Sequence, residues 1–144
     1  MKARDIMTQN PRVVTPETPV QEAARLMKTE DTGVLPVVEA STSRRLVGVL
    51  TDRDIAIRVV AEGRNGAVVR DVMSPSVRTC RADDDVDDVM RVMADEQIRR
   101  IPIVDDAGTV VGIVSQADLV REGPDRRAER TIEQISEPGG SHNT

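Results

Sequence analysis

Two short polar runs in this 144-residue chain could do chemistry, and both have the same spacing. Thr51 stands three residues before Asp54, and Ser115 stands three residues before Asp118, each pair directly after an apolar run. A hydroxyl followed at this spacing by a carboxylate is typical of a helix start, where both side chains cap free backbone N–H groups. The same pair could instead hold the two hydroxyls of a ribose, with phosphate near the backbone N–H groups. Spacing alone favours the capping interpretation over the ribose interpretation.

A second pair of motifs places a proline inside a short apolar run, at Leu35-Pro36 and at Ile101-Pro102. Because proline removes one ladder donor, we expect these residues at a sheet edge or a strand start. The alternative is that each run forms an apolar floor for a flat ring, with backbone groups reading the ring's edge. The chain contains no Phe, Tyr or Trp, so a bound ring would lie between aliphatic side chains.

The other candidate residues favour structural roles. The five carboxylates from Asp83 to Asp88 could form a Mg²⁺ site, but acidic residues are also typical of a helix start, which we favour. We expect Cys80 to be a small buried residue and not a nucleophile, because the single His lies in the polar tail. One Cys and one His also argue against a protein-built zinc site. The sequence thus predicts no catalytic residue, no metal ligand and no enzymatic activity.

Composition narrows the classes of partner. The net charge is −5 and the 20 Lys and Arg residues form no basic block, which argues against nucleic acid. No apolar run approaches the length of a membrane span, and no signal-peptide pattern opens the chain. The single Cys fits a reducing compartment, so we expect a cytoplasmic protein without membrane or nucleic-acid partners.

The elements that must position these residues occur twice. Arg-Asp-Ile-Met at 4–7 returns as Arg-Asp-Val-Met at 70–73, and the two halves then stay in register. In each half a short apolar strand precedes an amphipathic helix, two strands and a second helix, which predicts a β-α-β-β-α unit. We expect an α/β fold in which repeats 1–62 and 63–122 pack as a pseudo-twofold pair with two related clefts. Residues 123–144 are predicted to be a polar, partly disordered tail.

Finer expectations follow from the same patterns. The first strand of each repeat is placed at 13–14 and at 77–80, ahead of helices that begin at Val20 and Val86. Residues 58–69 are interpreted as the connection between the repeats, because Gly63 and Asn65-Gly66 break regular structure.

The chain resembles a tandem CBS-domain protein, or Bateman module, of the small stand-alone bacterial type. The resemblance rests on three motifs that each occur twice: the Asp-Ile/Val-Met opening, the proline strand and the Gly-x-x-Thr/Ser-x-x-Asp turn. The resemblance covers about residues 1–121. It implies a regulatory module that binds AMP, ADP or ATP, and in some members NAD or S-adenosylmethionine. It also implies a homodimer that senses energy or redox state and acts on a regulated protein whose identity the sequence does not reveal.

The resemblance assigns roles to residues by their match to the family's motifs. The hydroxyl–carboxylate pairs would hold ribose, the proline strands would line the adenine pocket, and basic residues would meet phosphate. Backbone groups near the start of each repeat would contact the base. The residues assigned in this way are Thr15, Leu35, Pro36, Thr51, Arg53, Asp54, Cys80, Arg99, Arg100, Ile101, Pro102, Ser115 and Asp118.

The two repeats differ in their phosphate-binding charge. Arg99-Arg100 occupies the place of Gly33-Val34, whereas Arg53 of the first repeat corresponds to an alanine in the second. Two guanidinium groups can bind phosphate bidentately, so the second repeat is predicted to hold the better-supplied nucleotide site.

Two alternatives remain open. The protein could be a stress or dormancy protein that acts through dimer or partner contacts without nucleotide, although both hydroxyl–carboxylate pairs are retained. It could also be an enzyme of nucleotide chemistry, against which the lack of a nucleophile with a base argues strongly.

Overall fold

A computed structural model describes residues 1–122 and divides them into two compact units. The first-repeat unit comprises Arg12–Val77 and Ala107–Val110. The second-repeat unit comprises Met1–Pro11, Arg78–Asp106 and the described residues from Val111 onward. The opening motif of each sequence repeat therefore lies in the unit built mainly from the other repeat. The predicted polar tail lies outside the described residues.

The described chain alternates helices with strands. In chain order the elements are α1 (Ala3–Ile6), β1 (Thr8–Gln9), α2 (Val20–Glu30), β2 (Val34–Val38), β3 (Leu46–Thr51), α3 (Asp52–Ile55) with a π-helical turn (Ala56–Val60), α4 (Val69–Val72), β4 (Cys80–Arg81), α5 (Val86–Glu96), β5 (Arg100–Val104), β6 (Val110–Ser115) and α6 (Gln116–Glu122). None of the helices between residues 1 and 122 is long and apolar enough to cross a bilayer.

In the first-repeat unit, β2 and β3 form an antiparallel pair whose register runs from Val34 opposite Thr51 to Val38 opposite Leu46. Helix α2 buries Val20, Ala23 and Met27 in the core of this unit, as the i, i+3, i+7 spacing predicts. The strand predicted at 13–14 is reduced to a single parallel bridge between Val14 and Val37.

In the second-repeat unit, four strands form one sheet in the order β1-β6-β5-β4. Pro102 lies in β5, which has a neighbour on both sides, so the expectation of an edge strand or a strand start is wrong for this proline. The physical reason is that β4 is short. It pairs only with Ile103 and Val104, so it requires no hydrogen bond from a backbone N–H at Pro102. The two-residue strand β1, which pairs antiparallel with β6 at Ile113 and Gly112, has no counterpart in the predicted elements.

Both predicted amphipathic helices are confirmed, and the second helix of the first repeat is longer than predicted. The helical path continues from α3 through Val60, because Val59 packs into the core four residues after Ile55. The connection at 58–69 is therefore shorter than expected. Its glycines do interrupt regular secondary structure, since Gly63 and Gly66 have positive φ angles of 65° and 89°.

The repeated opening motif has a structural explanation. In α1 the Asp5 carboxylate accepts from the Lys2 N–H at 2.8 Å, and in α4 the Asp71 carboxylate accepts from the Val68 N–H at 3.2 Å. The residue after each aspartate, Ile6 or Val72, is buried in the core of its unit. The aspartates thus cap one-turn helices, and the apolar residues anchor them.

Candidate functional site

The first-repeat unit holds its hydroxyl and carboxylate at the end of β3. Thr51 is the N-cap of α3, and its Oγ1 accepts from the Asp54 N–H at 3.0 Å. In return, Asp54 Oδ2 accepts from the Thr51 N–H at 3.0 Å. Thr51 is 4% exposed, one of the few buried polar residues. The capping interpretation of this turn is confirmed.

The second-repeat unit repeats the arrangement at the end of β6. Asp118 Oδ2 accepts from the Ser115 N–H at 2.9 Å, and Ser115 Oγ accepts from the Asp118 N–H at 3.2 Å. The Asp118 side chain is 4% exposed, and its Oδ1 accepts from Arg121 Nη2 at 2.6 Å. The first-repeat residue at the same spacing is Ile57, so Asp54 has no arginine three residues after it to form the same ion pair.

In the first-repeat unit, capping leaves part of the pair able to bind a ligand, whereas both carboxylate oxygens of Asp118 already accept hydrogen bonds. The cap uses one carboxylate oxygen and one hydroxyl lone pair, whereas a hydroxyl also has a proton to donate. Within residues 1–122, Asp54 Oδ1 accepts from no other residue, and the Thr51 hydroxyl donates to none. A vicinal diol could therefore donate to the free carboxylate oxygen and accept from the hydroxyl. The capping and ribose interpretations are compatible.

A backbone hydrogen bond joins each turn to the start of the neighbouring proline strand. The Asp52 N–H donates to the Gly33 carbonyl at 2.9 Å, and the Gln116 N–H donates to the Arg99 carbonyl at 3.0 Å. The bond places Arg99 beside the second hydroxyl–carboxylate turn, with Arg100 next in sequence, and both arginines are half-buried. Gln116 was missed by the sequence analysis. Its signal is that it directly follows Ser115 where the first repeat has an aspartate.

The proline strands contribute buried residues. Leu35 is 1% exposed and Ile101 is 0% exposed, and each belongs to the hydrophobic core of its own unit. Pro36 and Pro102 are buried as well, and the Pro36 carbonyl accepts from the Val14 N–H at 3.1 Å. The proposed role of these residues in lining an adenine pocket stays a prediction.

The remaining predicted residues lie in different surroundings. The Thr15 N–H donates to Thr18 Oγ1 at 3.1 Å, in the turn before α2. Arg53 is exposed in the first turn of α3. Their contacts with a ligand also stay predictions.

Cys80 is 4% exposed and pairs with Ile103 across the parallel strands β4 and β5. Burial raises the pKa of its thiol from 9.0 to about 11; the Asp84 and Asp88 carboxylates raise it further, and Arg78 lowers it. The thiol is therefore protonated near neutral pH and is a poor nucleophile.

Carboxylates of the acidic cluster at 83–88 accept backbone hydrogen bonds in a turn and at the start of a helix. Asp84 Oδ2 accepts from the Arg81 N–H at 2.8 Å, and Asp85 Oδ1 accepts from the Asp87 N–H at 3.1 Å as the N-cap of α5. Across residues 1–122, no three His, Cys, Asp or Glu side chains are grouped so that they could hold a metal ion.

Sequence comparison finds close relatives among small proteins. A CBS domain-containing protein, YhcV, of Bacillus subtilis (strain 168) is 44% identical over 117 residues, which is 81% of this chain and 81% of that protein.

Solved structures match at similar coverage. A structure of Hypoxic Response Protein I with two coordinated zinc ions matches with a TM-score of 0.76 and 33% identity over 86% of this chain and 100% of that one. The CBS domain pair of protein MJ0100, in complex with 5′-methylthioadenosine and S-adenosyl-L-methionine, matches with a TM-score of 0.74 and 30% identity, covering 84% and 94%. CBSX2 in complex with AMP matches with a TM-score of 0.72 and 31% identity, covering 83% and 93%.

The family model for the CBS domain matches twice, at residues 3–61 and 69–125. The two matches together span most of the chain and agree with the doubled β-α-β-β-α pattern. The chain belongs to the CBS domain family.

Proposed function

We propose that this protein is a non-catalytic regulatory module that binds an adenosine-containing ligand of the AMP, ADP or ATP class. The observation that carries the proposal is the doubled turn, in which Thr51 with Asp54 and Ser115 with Asp118 have the same hydrogen-bonding geometry. Each turn keeps a hydroxyl and a carboxylate at the end of a core strand, suited to a ribose diol. Complexes of related CBS proteins with AMP, 5′-methylthioadenosine and S-adenosyl-L-methionine support adenosine as the shared chemistry.

The proposed action is linkage between ligand and partner. A ligand that binds one conformation of the module better than another shifts the population toward it, and a protein that reads that conformation is then regulated. The module would report the supply of adenine nucleotide in this way, as a cytoplasmic homodimer. NAD and S-adenosylmethionine are the other ligands to compare.

Calorimetric titration of the full chain with AMP, ADP, ATP, NAD and S-adenosylmethionine tests the proposal. Asp54→Asn and Asp118→Asn each keep an oxygen that can accept the capping N–H but remove the charge offered to ribose. Loss of a hydrogen bond to a charged group should weaken the affected site about tenfold or more. The double variant should show almost no binding.

A matched control separates this effect from loss of a cap. Asp5→Asn alters the same kind of cap on α1, outside the proposed sites, so it should leave ligand affinity unchanged. The proposal fails if none of the five ligands binds, or if the Asp54 and Asp118 variants bind as tightly as the wild type.

A further inference from the structure

The carboxylate of the second hydroxyl–carboxylate turn has a protein partner on both of its oxygens. Asp118 Oδ2 accepts from the Ser115 N–H at 2.9 Å, and Asp118 Oδ1 accepts from Arg121 Nη2 at 2.6 Å. The capping bond is part of the fold, so a ribose hydroxyl that donates to this carboxylate would meet the oxygen that Arg121 already contacts. In the first-repeat unit, Asp54 Oδ1 accepts from no residue within 1–122. The two turns therefore differ at this one oxygen.

The first-repeat unit also has an arginine close in sequence to its carboxylate, but that side chain is held elsewhere. Arg58 follows Asp54 by four residues and lies in the π-helical turn. Its Nη1 donates to the Val72 carbonyl at 3.1 Å, at the end of α4. The Asp54 carboxylate is therefore left to a ligand, whereas the Asp118 carboxylate is shared with an arginine.

Arg121 is the member of this ion pair that can move. Its side chain is 60% exposed, whereas the Asp118 side chain is 4% exposed and is fixed by the cap. Arg121 Nε also lies 3.9 Å from Glu122 Oε1, so the guanidinium keeps an acidic neighbour when it leaves Asp118. An exposed guanidinium that leaves a carboxylate regains water, and a ligand hydroxyl that then donates to Oδ1 gives the buried carboxylate a new partner. The exchange leaves no buried polar group unpaired.

We propose that Arg121 is a latch on the second-repeat site, where it competes with the ribose diol for Asp118. This proposal rests on the proposed function and names how one of its two sites is regulated. Binding at Ser115 and Asp118 includes the cost of displacing a guanidinium from a charge-assisted hydrogen bond, whereas binding at Thr51 and Asp54 does not. The second-repeat site therefore fills at a higher concentration of a neutral adenosine than it would without the latch.

Adenosine is the probe, because it carries the ribose diol and has no charge that could pair with Arg121. Calorimetric titration of the full chain in the Asp54→Asn background reports the second-repeat site. There, Arg121→Gln should strengthen adenosine binding about threefold to tenfold. Binding of 2′,3′-dideoxyadenosine, which lacks the diol, should gain nothing from the same substitution. The second probe separates competition for Asp118 from a general effect of Arg121 on α6.

Arg91→Gln is the matched control for this substitution. Arg91 Nη1 donates to Asp88 Oδ1 at 3.0 Å, which is the same kind of ion pair at the same three-residue spacing, on α5. The control removes an equal charge from a helix that carries neither hydroxyl–carboxylate turn. Adenosine affinity should therefore stay within about twofold of that of the Asp54→Asn parent.

Ionic strength provides a second test that needs no substitution at Arg121. Raising it from about 0.1 M to about 1 M shortens the Debye length from about 10 Å to about 3 Å, which weakens an ion pair with an exposed partner. Adenosine affinity in the Asp54→Asn background should then rise about twofold more than in the Asp118→Asn background, which reports the site without a latch. An equal response to salt in the two backgrounds contradicts the latch.

The outcomes separate this inference from the proposed function. If the wild type binds neither AMP nor adenosine, both are overturned. If the wild type binds adenosine and the Asp54 and Asp118 variants weaken it, but Arg121→Gln leaves the affinity unchanged or lowers it, only the latch is overturned. An equal gain for adenosine and 2′,3′-dideoxyadenosine also rejects the latch, because Arg121 would then act on something other than the diol.

Discussion

At the scale of single residues, the proposed ligand-binding side chains also hold the fold together. Asp118 caps α6, its side chain is only 4% exposed, and its carboxylate forms an ion pair with Arg121. Substitutions at such residues change stability and binding together, which is why Asn replacements that keep the cap are preferable to alanine. Other buried residues with reactive groups have a purely structural role, and Cys80 is the clearest.

We expect Cys80 to make stability fall at alkaline pH. Its folded pKa of about 11 lies above the ordinary 9.0, so the unfolded thiol loses its proton first as the pH rises. The stabilisation is complete below pH 9 and is lost between pH 9 and 11, by roughly 3 kcal/mol. Urea unfolding followed by circular dichroism across this range measures it, and the chain has no Tyr to titrate there.

Cys80→Ala is the control for this pH dependence. Its free energy of unfolding should be lower at pH 8 but should fall less steeply between pH 9 and 11. If the free energy of unfolding fell equally steeply with pH in the wild type and in Cys80→Ala, the pH dependence could not be assigned to the Cys80 thiol.

At the scale of elements, local patterns predict the helices and paired strands, but not which distant segments meet. The apolar spacing after Val20 predicts α2, and the β-branched runs predict β2 and β5. The pairing of Thr8 with Ile113 joins residues more than a hundred positions apart, and neither end carries a local signal for it. The same limit hid Gln116 beside Arg99, because a backbone hydrogen bond between elements created that contact.

Gly48 tests one of these long-range contacts. A Cβ added there would lie 2.7 Å from the Ser74 carbonyl oxygen, which is held in place by the Val49 N–H at 3.0 Å. Because this backbone oxygen cannot move freely, Gly48→Ala should lower the free energy of unfolding by about 1–3 kcal/mol. Thermal or urea unfolding measures the loss.

Gly33→Ala is the matched control for this substitution. Its added methyl group meets only the flexible, exposed Asp52 carboxylate, so its cost should be well below that of Gly48→Ala. Gly112→Ala should fall between the two, since its Cβ meets the flexible Met7 side chain and the Thr8 carbonyl oxygen at 3.0 Å. Equal stability of all three variants would show that the Ser74 contact imposes no constraint.

At the scale of the whole molecule, neither compact unit is made from one continuous stretch of chain. The second-repeat unit takes Met1–Pro11 from the first sequence repeat, and the first-repeat unit takes the 70–73 motif from the second. A cut between the sequence repeats at 62 would separate α1 from its unit and α4 from the other. Experiments on either site therefore require the full chain.

The predicted homodimer can be tested on an apolar surface of the first-repeat unit. Val60 is 71% exposed and Ile57 is 53% exposed, three residues apart in the π-helical turn. Beside them, a groove of about 470 Å³ is lined by Val20, Ile55, Val59 and others. A second copy of this chain is the occupant that the family resemblance favours, because one apolar patch can serve both partners of a twofold pair.

Sedimentation velocity measures this association directly. The wild type should sediment at twice the 15.7 kDa chain mass, and Val60→Lys should shift it toward the monomer, because burying an unpaired ammonium group costs several kcal/mol. Val60→Ile keeps the apolar surface and should remain dimeric. A monomeric wild type would reject the dimer, and a dimeric Val60→Lys variant would place its interface elsewhere on the protein.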